Sequence, residues 1–400
     1  MRVVIQTEGP FPSGMAATTR LLTYARGMIE AGAEVTVLCT KPSEAPLATP
    51  VNTVIEGSFE GIRFKYTPGT TQRSSSSLIR LFHYYKGFYN GKKELRRMMA
   101  DSPVDVLFMG ISSFWFTWSY YRWTRRNHVL FVQERSEYPF IGVRGLSQQF
   151  KLWFYLRVTC RLFDAIIVIT NALESYFAKW IRKDAVTYLL PMLVEFERFA
   201  LTKGKPETLP EKYIAYVGNM QGSKDGVPVL IEAFAGIADA FPDVHLVLIG
   251  DTGFRGFENL QEMIEKRRLS ERVHFPGRIE RENLPLFLAG ASCLALARPS
   301  SKQAEGGFPN KLGEYLATGK PVVITSVGEI PRFLSDGENA FVSVPDDARA
   351  FAVKLKEALE DPARAGTIGE QGQKLAQTVF DPKLQAEKML AFFAAMKKVY

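Results

Sequence analysis

Residues 304–321 read Ala-Glu-Gly-Gly-Phe-Pro-Asn-Lys-Leu-Gly-Glu-Tyr-Leu-Ala-Thr-Gly-Lys-Pro. The apolar run Cys293–Ala297 precedes this stretch and Val322–Thr325 follows it. The pattern is strand, loop, helix, strand. The glycine pair Gly306-Gly307 lets backbone approach a ligand closely. Pro309 suits the first helical position. The open N–H groups of that helix start, with Asn310 beside them, then face the loop, a natural place for an anion. Glu314 falls in the second helical turn, where a carboxylate can accept two neighbouring hydroxyls. Gly319 ends the helix. Each feature alone fits an ordinary capped helix; their combined order argues for a site that takes phosphate and a nucleoside.

The same alternation extends outward in both directions. In the first half, strands are expected at Val3–Gln6, Glu34–Cys39, Val104–Met109, Val129–Val132 and Ala165–Ile169, with a helix at Ala17–Ala31. In the second half they are expected at Tyr213–Val217, His245–Ile249, Val273–Phe275, Cys293–Ala297, Val322–Thr325 and Phe341–Val344. Helical spacing separates them at Pro228–Phe241, Glu258–Lys266, Arg281–Ala289 and Pro309–Ala317. Strands alternating with helices imply an α/β protein with doubly wound parallel sheets. A chain of 400 residues is long for one core, which favours two domains. The expected division is 1–198, a linker at 199–210, 211–380, and a C-terminal helix at 381–400 that packs back on the first domain. The linker assignment rests on two prolines, a glycine and no periodicity.

Composition narrows the class. Hydrophobic residues make up 46% and charged residues 23%, as in an ordinary globular protein. Three scattered cysteines, Cys39, Cys160 and Cys293, give neither a disulfide framework nor a cysteine-based zinc site. Met1-Arg2 runs straight into Val3-Val4-Ile5, so no signal peptide is expected. The longest uncharged run, Val106–Tyr121, is 16 residues and is short for a membrane span. It reads as a buried strand, a loop and the start of an aromatic helix. A cytoplasmic protein, peripheral at the inner face of a membrane, is the expectation. The net charge of +8 is uneven: residues 73–161 hold 15 basic and 5 acidic residues. That excess suggests an anionic partner. Leu78–Lys86 and Phe150–Arg157 mix cations with aromatic rings, which suits a membrane interface as well as it suits core helices. No nucleic-acid motif accompanies them.

Further candidates sit at or just past strand ends, where open α/β sheets bind ligands. Gly218, Asn219 and Lys224 follow the strand Tyr213–Val217, and Lys224 could reach a phosphate. Gly250 follows His245–Ile249, and Arg278 follows Val273–Phe275. In the first half, Gly9–Ala16 joins the first strand to the first helix without the spacing of a dinucleotide fingerprint.

These residues, in this order, resemble the retaining family-4 glycosyltransferases (glycosyl transferases group 1) of GT-B fold. The resemblance is specific from Phe308 to Val323 and covers roughly Tyr213–Val344, with a looser match through Gly14, Gly32–Val37 and Asp164–Thr170. It implies two Rossmann-like domains facing a central cleft. The first would take the acceptor and the second the nucleotide-sugar donor. It implies that Glu314 holds the ribose, and that the amides from Gly306 to Phe308 face the sugar and diphosphate. Lys224 would bind phosphate, and Gly250 and Arg278 would contact the nucleoside. Glu305 is the candidate for the glutamate that touches the transferred sugar; it stands nine positions before Glu314, where the family has eight, and Gly306 occupies the usual place. Asn219 replaces the family's arginine, so Arg278 or Arg298 would have to compensate. The histidine that many members carry after the strand ending at Met109 is absent, since Gly110-Ile111-Ser112 stands there. The set Gln133, Glu134, Arg135 and Glu137 is the acceptor-side candidate, with a salt-bridged loop as the equal alternative.

The expected reaction moves a sugar from a nucleoside diphosphate, UDP before GDP, to a hydroxyl of a glycan or lipid-linked acceptor with retained configuration. The chain has no Asp-x-Asp sequence, so no metal and no cofactor are expected. Charge growing on the departing phosphate would be opposed by Lys224 and oriented N–H groups. Two other readings stay open: a nucleotide-sugar epimerase, and a sugar-nucleotide-binding module without catalysis.

Overall fold

Alternating apolar runs and helical segments become two parallel-sheet α/β units in the computed structural model, which describes residues 1–46, 49–139, 145–222 and 224–398. The first unit comprises Met1–Leu193 and Pro382–Tyr400, the second Val194–Asp381.

Among the described residues the first unit holds eight strands: β1 (Arg2–Thr7), β2 (Glu34–Cys39), β3 (Glu56–Phe59), β4 (Ile62–Tyr66), β5 (Val106–Met109), β6 (Leu130–Arg135), β7 (Ala165–Val168) and β8 (Val186–Leu189). Their order is β3-β4-β2-β1-β5-β6-β7-β8, all parallel except the β3–β4 pair. Helices α1 (Ala16–Glu30), α2 (Ser77–Asp101), α3 (Phe114–Arg126), α4 (Leu146–Phe154) and α5 (Asn171–Phe177) connect them. Strands β5 and β7 are buried along their whole length. That burial explains why they read as unbroken apolar runs instead of alternating ones.

In the second unit the strands are β9 (Lys212–Val217), β10 (Val244–Ile249), β11 (Val273–Gly277), β12 (Cys293–Leu296), β13 (Val322–Thr325) and β14 (Phe341–Ser343). The order β11-β10-β9-β12-β13-β14 is that of a dinucleotide-binding sheet, and it reverses between β9 and β12. The helices are α6 (Phe196–Ala200), α7 (Val227–Ala235), α8 (Phe257–Lys266), α9 (Leu284–Ala289), α10 (Lys302–Gly306), α11 (Asn310–Ala317), α12 (Ala348–Glu360) and α13 (Pro362–Val379). The chain then returns to the first unit through α14 (Pro382–Lys397). There Met389 and Phe393 join the core with Met28 and Phe108. Gly27 of α1 allows the close fit, because a Cβ there would strike the Pro382 backbone.

The structure differs from the sequence reading in several places. Residues 199–210, expected as a linker, lie in the second unit, and Phe199 is buried. Strands β3, β4 and β8 were not anticipated. The helix expected at Pro228–Phe241 stops at Ala235, and the one expected from Arg281 starts at Leu284. Pro309 is not the first helical residue. It caps α11 in extended geometry, with φ −72° and ψ 119°, and Asn310 opens the helix.

Candidate functional site

Ligands of open α/β sheets gather where the strand order reverses, beyond the carboxyl ends of the strands. In the second unit that place lies past β9 and β12. Gly218 and Gly250 extend the sheet by one residue each: Gly218 N–H donates to the Ile249 carbonyl at 2.9 Å, and Gly250 N–H to the Gly277 carbonyl at 3.0 Å. A Cβ on Gly250 would collide with the Gly218 carbonyl, so the two turns nest only because one lacks a side chain. Arg278, exposed, follows at the end of β11. The turn from Gly218 to α7 ends at Gly226, whose φ of +68° and contact with the Ala297 carbonyl leave no room for a Cβ.

Beneath this turn is a buried charged cluster. Asp225, at the start of α7, forms an ion pair with Lys311 from the first turn of α11. The Tyr216 hydroxyl lies 2.9 Å from Asp225 Oδ2 and 3.0 Å from the Asn219 carbonyl. Arg298, buried just past β12, stands with Nε 4.0 Å from Asp225 Oδ1. Burial alone would raise the Asp225 carboxyl, but Lys311, Tyr216 and Arg298 outweigh it and hold it below the usual range. Burial pulls the Lys311 ammonium down, and Asp225 opposes that pull. Tyr315, one residue past Glu314, accepts the Val217 N–H at 2.8 Å and so fastens α11 to the end of β9.

Glu314 lies one turn beyond Lys311. The residue keeps partial exposure, but protein surrounds its carboxyl, and burial pushes that carboxyl above the usual range. Arg198, Lys311 and Arg281 oppose the shift, and Glu195 adds to it. These groups are linked: Arg198 donates to the Arg281 carbonyl, and Arg281 pairs with Glu195 at 2.5 Å. The arrangement sets a carboxylate among two guanidiniums at the helix that the glycine loop enters.

The glycine loop itself is made by α10. Ser301 caps it, its hydroxyl accepting Ala304 N–H at 3.0 Å. Glu305 sits on this short helix and pairs with Lys302 at 2.7 Å; Gly306 is its buried last residue. Gly307 has no room for a Cβ against the Gln303 carbonyl, and Arg298 Nη2 stands 3.7 Å from that Cβ position. The Phe308 side chain turns inward onto Phe333 at 5.4 Å and Phe380 at 5.7 Å, anchoring the loop. Lys224 is exposed on the turn before Asp225. Asn219 accepts Gln221 N–H at 2.9 Å, so its side chain shapes the turn.

In the first unit the loop after β1 is pinned. Ser13 exchanges hydrogen bonds with Asn52, whose amide also donates to Glu44 at 2.7 Å. Gly14 fits there because a Cβ would strike Thr18 and Pro10. The acceptor-side set is split by strand alternation. Gln133 accepts the Tyr155 hydroxyl at 2.6 Å, and the Arg135 guanidinium lies 5.3 Å from the Tyr155 ring. Glu134 faces the other way and accepts from Arg20 Nε and Ser136 Oγ, both at 2.7 Å. Glu137 is exposed.

The sequence reading missed Tyr216, Asp225, Lys311, Arg198, Arg281 and Glu195. Lys311 had a usable signal: it stands three residues before Glu314, on one face of the same helix. The others are joined only by the fold.

Comparison with known proteins places this arrangement. The family described as "Glycosyl transferases group 1" matches residues 198–375, and that described as "Glycosyl transferase 4-like domain" matches residues 14–191. One relative is the GDP-mannose-dependent alpha-(1-6)-phosphatidylinositol monomannoside mannosyltransferase of Mycolicibacterium smegmatis, 27% identical over 53% of this chain and 57% of that protein. The chain thus matches just over half of that relative's length. Among solved structures, sucrose-phosphate synthase from Thermosynechococcus elongatus superposes over 100% of both chains with a TM-score of 0.73 at 17% identity. The Anabaena protein Alr3699/HepE, solved with UDP and glucose, covers 99% of this chain and 100% of its own, with a TM-score of 0.70 at 16% identity. Between them the two family matches take in nearly the whole chain, and the chain belongs to the group 1 glycosyltransferases of the family-4 type, with the GT-B fold.

Proposed function

We propose that this glycosyltransferase moves a hexose from a nucleoside diphosphate sugar, a UDP-sugar first among them, to a hydroxyl of a glycan or lipid-linked acceptor, with retained anomeric configuration. One observation carries the reading. At the sheet reversal, the start of α11 meets the Gly218 turn, and Glu314 stands one turn further on among Arg198 and Arg281. In this reading Glu314 accepts the two ribose hydroxyls. The amides from Gly306 to Phe308, together with Lys224, take the diphosphate.

As the sugar–oxygen bond breaks, negative charge builds on the β-phosphate. Fixed N–H dipoles and cations oppose that charge without having to reorganise, and each such donor contributes about 3–4 kcal/mol. Asp225 offsets Lys311, and Arg298 adds a second buried positive charge to the cluster; in this reading Arg298 compensates for the arginine replaced by Asn219. The proposal uses protein cations alone and assigns no metal. Glu305 is proposed to meet the transferred sugar once its pairing with Lys302 is broken. Gly250 and Arg278 would flank the base. Gln133, Glu134, Arg135 and Glu137 remain the acceptor-side proposal, with Glu134 better placed than Gln133 and Arg135, because it keeps partial exposure while those two are buried.

The names of the compared proteins agree with a nucleotide-sugar donor: one is GDP-mannose-dependent, and another was solved with UDP and glucose. Among the described residues no helix is long and apolar enough to cross a membrane. A lipid-linked acceptor would therefore be met at a membrane surface, on its cytoplasmic side in this proposal. The epimerase reading loses its histidines. His245 and His274 bond to each other at 2.9 Å near the N-terminal ends of β10 and β11, the edge opposite the site.

The test is incubation with a panel of nucleotide-sugars and candidate acceptors, following nucleoside diphosphate release. Release that depends on acceptor is expected, with the product anomer read by NMR. Isomerised sugar without release would replace this reading by an epimerase. Donor binding with neither outcome would leave a binding module.

A further inference from the structure

We propose that α3, α4 and the first half of α2 form one face that seats on an anionic lipid bilayer. The proposal rests on the lipid-linked acceptor above for its purpose, not for its evidence. All seven exposed aromatic side chains among the described residues lie on these three helices. On α2, Leu78, Phe82, Tyr85 and Tyr89 recur at helical spacing but point outward. The packed face of α2 is a different one, built from Gly87, Gly91, Leu95 and Met98. On α3, Trp115 is 71% exposed and Trp118 continues its stripe. On α4 no residue is buried, yet Leu146, Phe150 and Trp153 share a face. Core packing therefore does not account for these rings.

Ring contacts join the three helices. Tyr85 meets Phe116 at 5.6 Å, and Phe88 stacks on Phe116 at 3.8 Å. Phe114 meets both Trp115 and Phe154, and Phe150 stacks beside Trp153 at 5.7 Å. The charge has one sign: α3, α4 and the first half of α2 carry no Asp or Glu. The helices carry Arg80, Lys86, Arg122, Arg126 and Lys151 instead, with the Lys86 ammonium 5.9 Å from the Phe82 ring and the Arg122 guanidinium 5.0 Å from the Trp118 ring. Aromatic rings at headgroup depth with cations around them are the composition that anionic bilayer interfaces select. Position adds a third argument. α2, α3 and α4 follow the parallel strands β4, β5 and β6, so each begins at the carboxyl edge of the sheet. The exposed rings occupy the first half of α2, the first two turns of α3 and the short α4. The bilayer would thus lie at the edge that carries the β1 loop and Glu134, where an acceptor headgroup could enter.

The test uses the full chain and two vesicle types, phosphatidylcholine alone and phosphatidylcholine with phosphatidylglycerol, read by co-sedimentation and tryptophan fluorescence. Sedimentation with the anionic vesicles only, reversed by salt, is expected. The combined Trp115→Ser, Phe150→Ser, Trp153→Ser variant should lower partitioning at least about tenfold. Each of Lys86→Glu and Arg122→Glu should lower it about fivefold or more. These charge variants keep the test open if the triple variant folds poorly. Equal partitioning of native chain and variants, or none, would overturn the proposal. So would a concentration-dependent dimer that the same substitutions dissolve, or tighter binding to single-stranded oligonucleotides than to anionic vesicles. Donor affinity of the variants separates this proposal from the catalytic one. If vesicles bind but no nucleotide-sugar does, the bilayer face stands and the donor reading falls.

Discussion

The Lys311 ammonium occupies the space that a side chain on Gly218 would need. Gly218 follows the last residue of β9 and Lys311 lies in the first turn of α11, so the turn and the helix are fitted to each other through a missing Cβ.

Gly218→Ala is therefore expected to cost about 1–3 kcal/mol of stability, as overpacking does. It should also weaken nucleotide binding, because the displaced lysine shifts the start of α11. Denaturant unfolding measures the first effect and calorimetric titration the second. In a double-mutant cycle with Lys311→Ala, the two changes should couple by about 1 kcal/mol or more. Strict additivity would show that the lysine does not set the turn.

The Asp225–Lys311 pair should be far more sensitive to losing one partner than both. Lys311→Met leaves a buried carboxylate short of its main counter-charge, and about 3–5 kcal/mol is the expected loss. Adding Asp225→Asn should recover much of it. The pH dependence follows from the depressed carboxyl of Asp225. Its contribution is complete above the unfolded carboxylate pKa of about 3.9 and disappears as pH falls through the lower folded value. Asp225→Asn should accordingly flatten the acid limb of thermal stability below about pH 4. An unchanged acid limb would contradict the pairing.

Glu314 carries the opposite sign. Burial raises its carboxyl, so its penalty is absent below the unfolded value of about 4.3 and grows as pH rises toward the folded one. Ligand-free Glu314→Gln should match the native protein in acid and exceed its melting temperature at neutral pH. Nucleotide affinity should move the other way, by about tenfold or more, since two charge-assisted hydrogen bonds to the ribose are weakened. Glu314→Ala should leave no measurable donor binding. Retained affinity in either variant would refute the ribose role.

Arg20 gathers Glu134 and the carbonyls of Leu190 and Pro191 with three separate N–H directions, at 2.7, 2.9 and 3.0 Å. A lysine has a point charge and no such fork. Arg20→Lys should therefore lower stability by about 1–3 kcal/mol and raise the acceptor KM while donor affinity stays unchanged. Steady-state kinetics with each substrate varied in turn distinguishes the two.

The parts of this fold that the sequence discloses are those fixed by local pattern. Strands β1, β2, β9, β10 and β13 are apolar runs between turn residues, and their limits fall within a residue of expectation. The β3–β4 hairpin was hidden because Gly57 and Gly61 interrupt its alternation, and β8 because it lies at the sheet edge with little burial. The site divides the same way. Glycines, Pro309 and Glu314 stand in one stretch and announce themselves. The Asp225–Lys311 and Glu195–Arg281 pairs each join residues 86 apart, and no spacing rule reaches that far. Phe308 shows a further limit: its position in the glycine loop was legible, but the direction of its side chain toward Phe333 depended on tertiary packing.

The route of the chain has a consequence for its biosynthesis. Residues 194–381 form a complete unit whose two ends are tied by the Val194 N–H to Phe380 carbonyl bond at 3.0 Å. The first unit, translated earlier, lacks α14 until residues 382–397 emerge. Until then the faces of Met28 and Phe108 that Met389 and Phe393 cover stay open on the nascent chain. The part made second can therefore finish folding before the part made first, and a ribosome stalled within α13 would hold an exposed apolar groove on α1 for chaperones to shield.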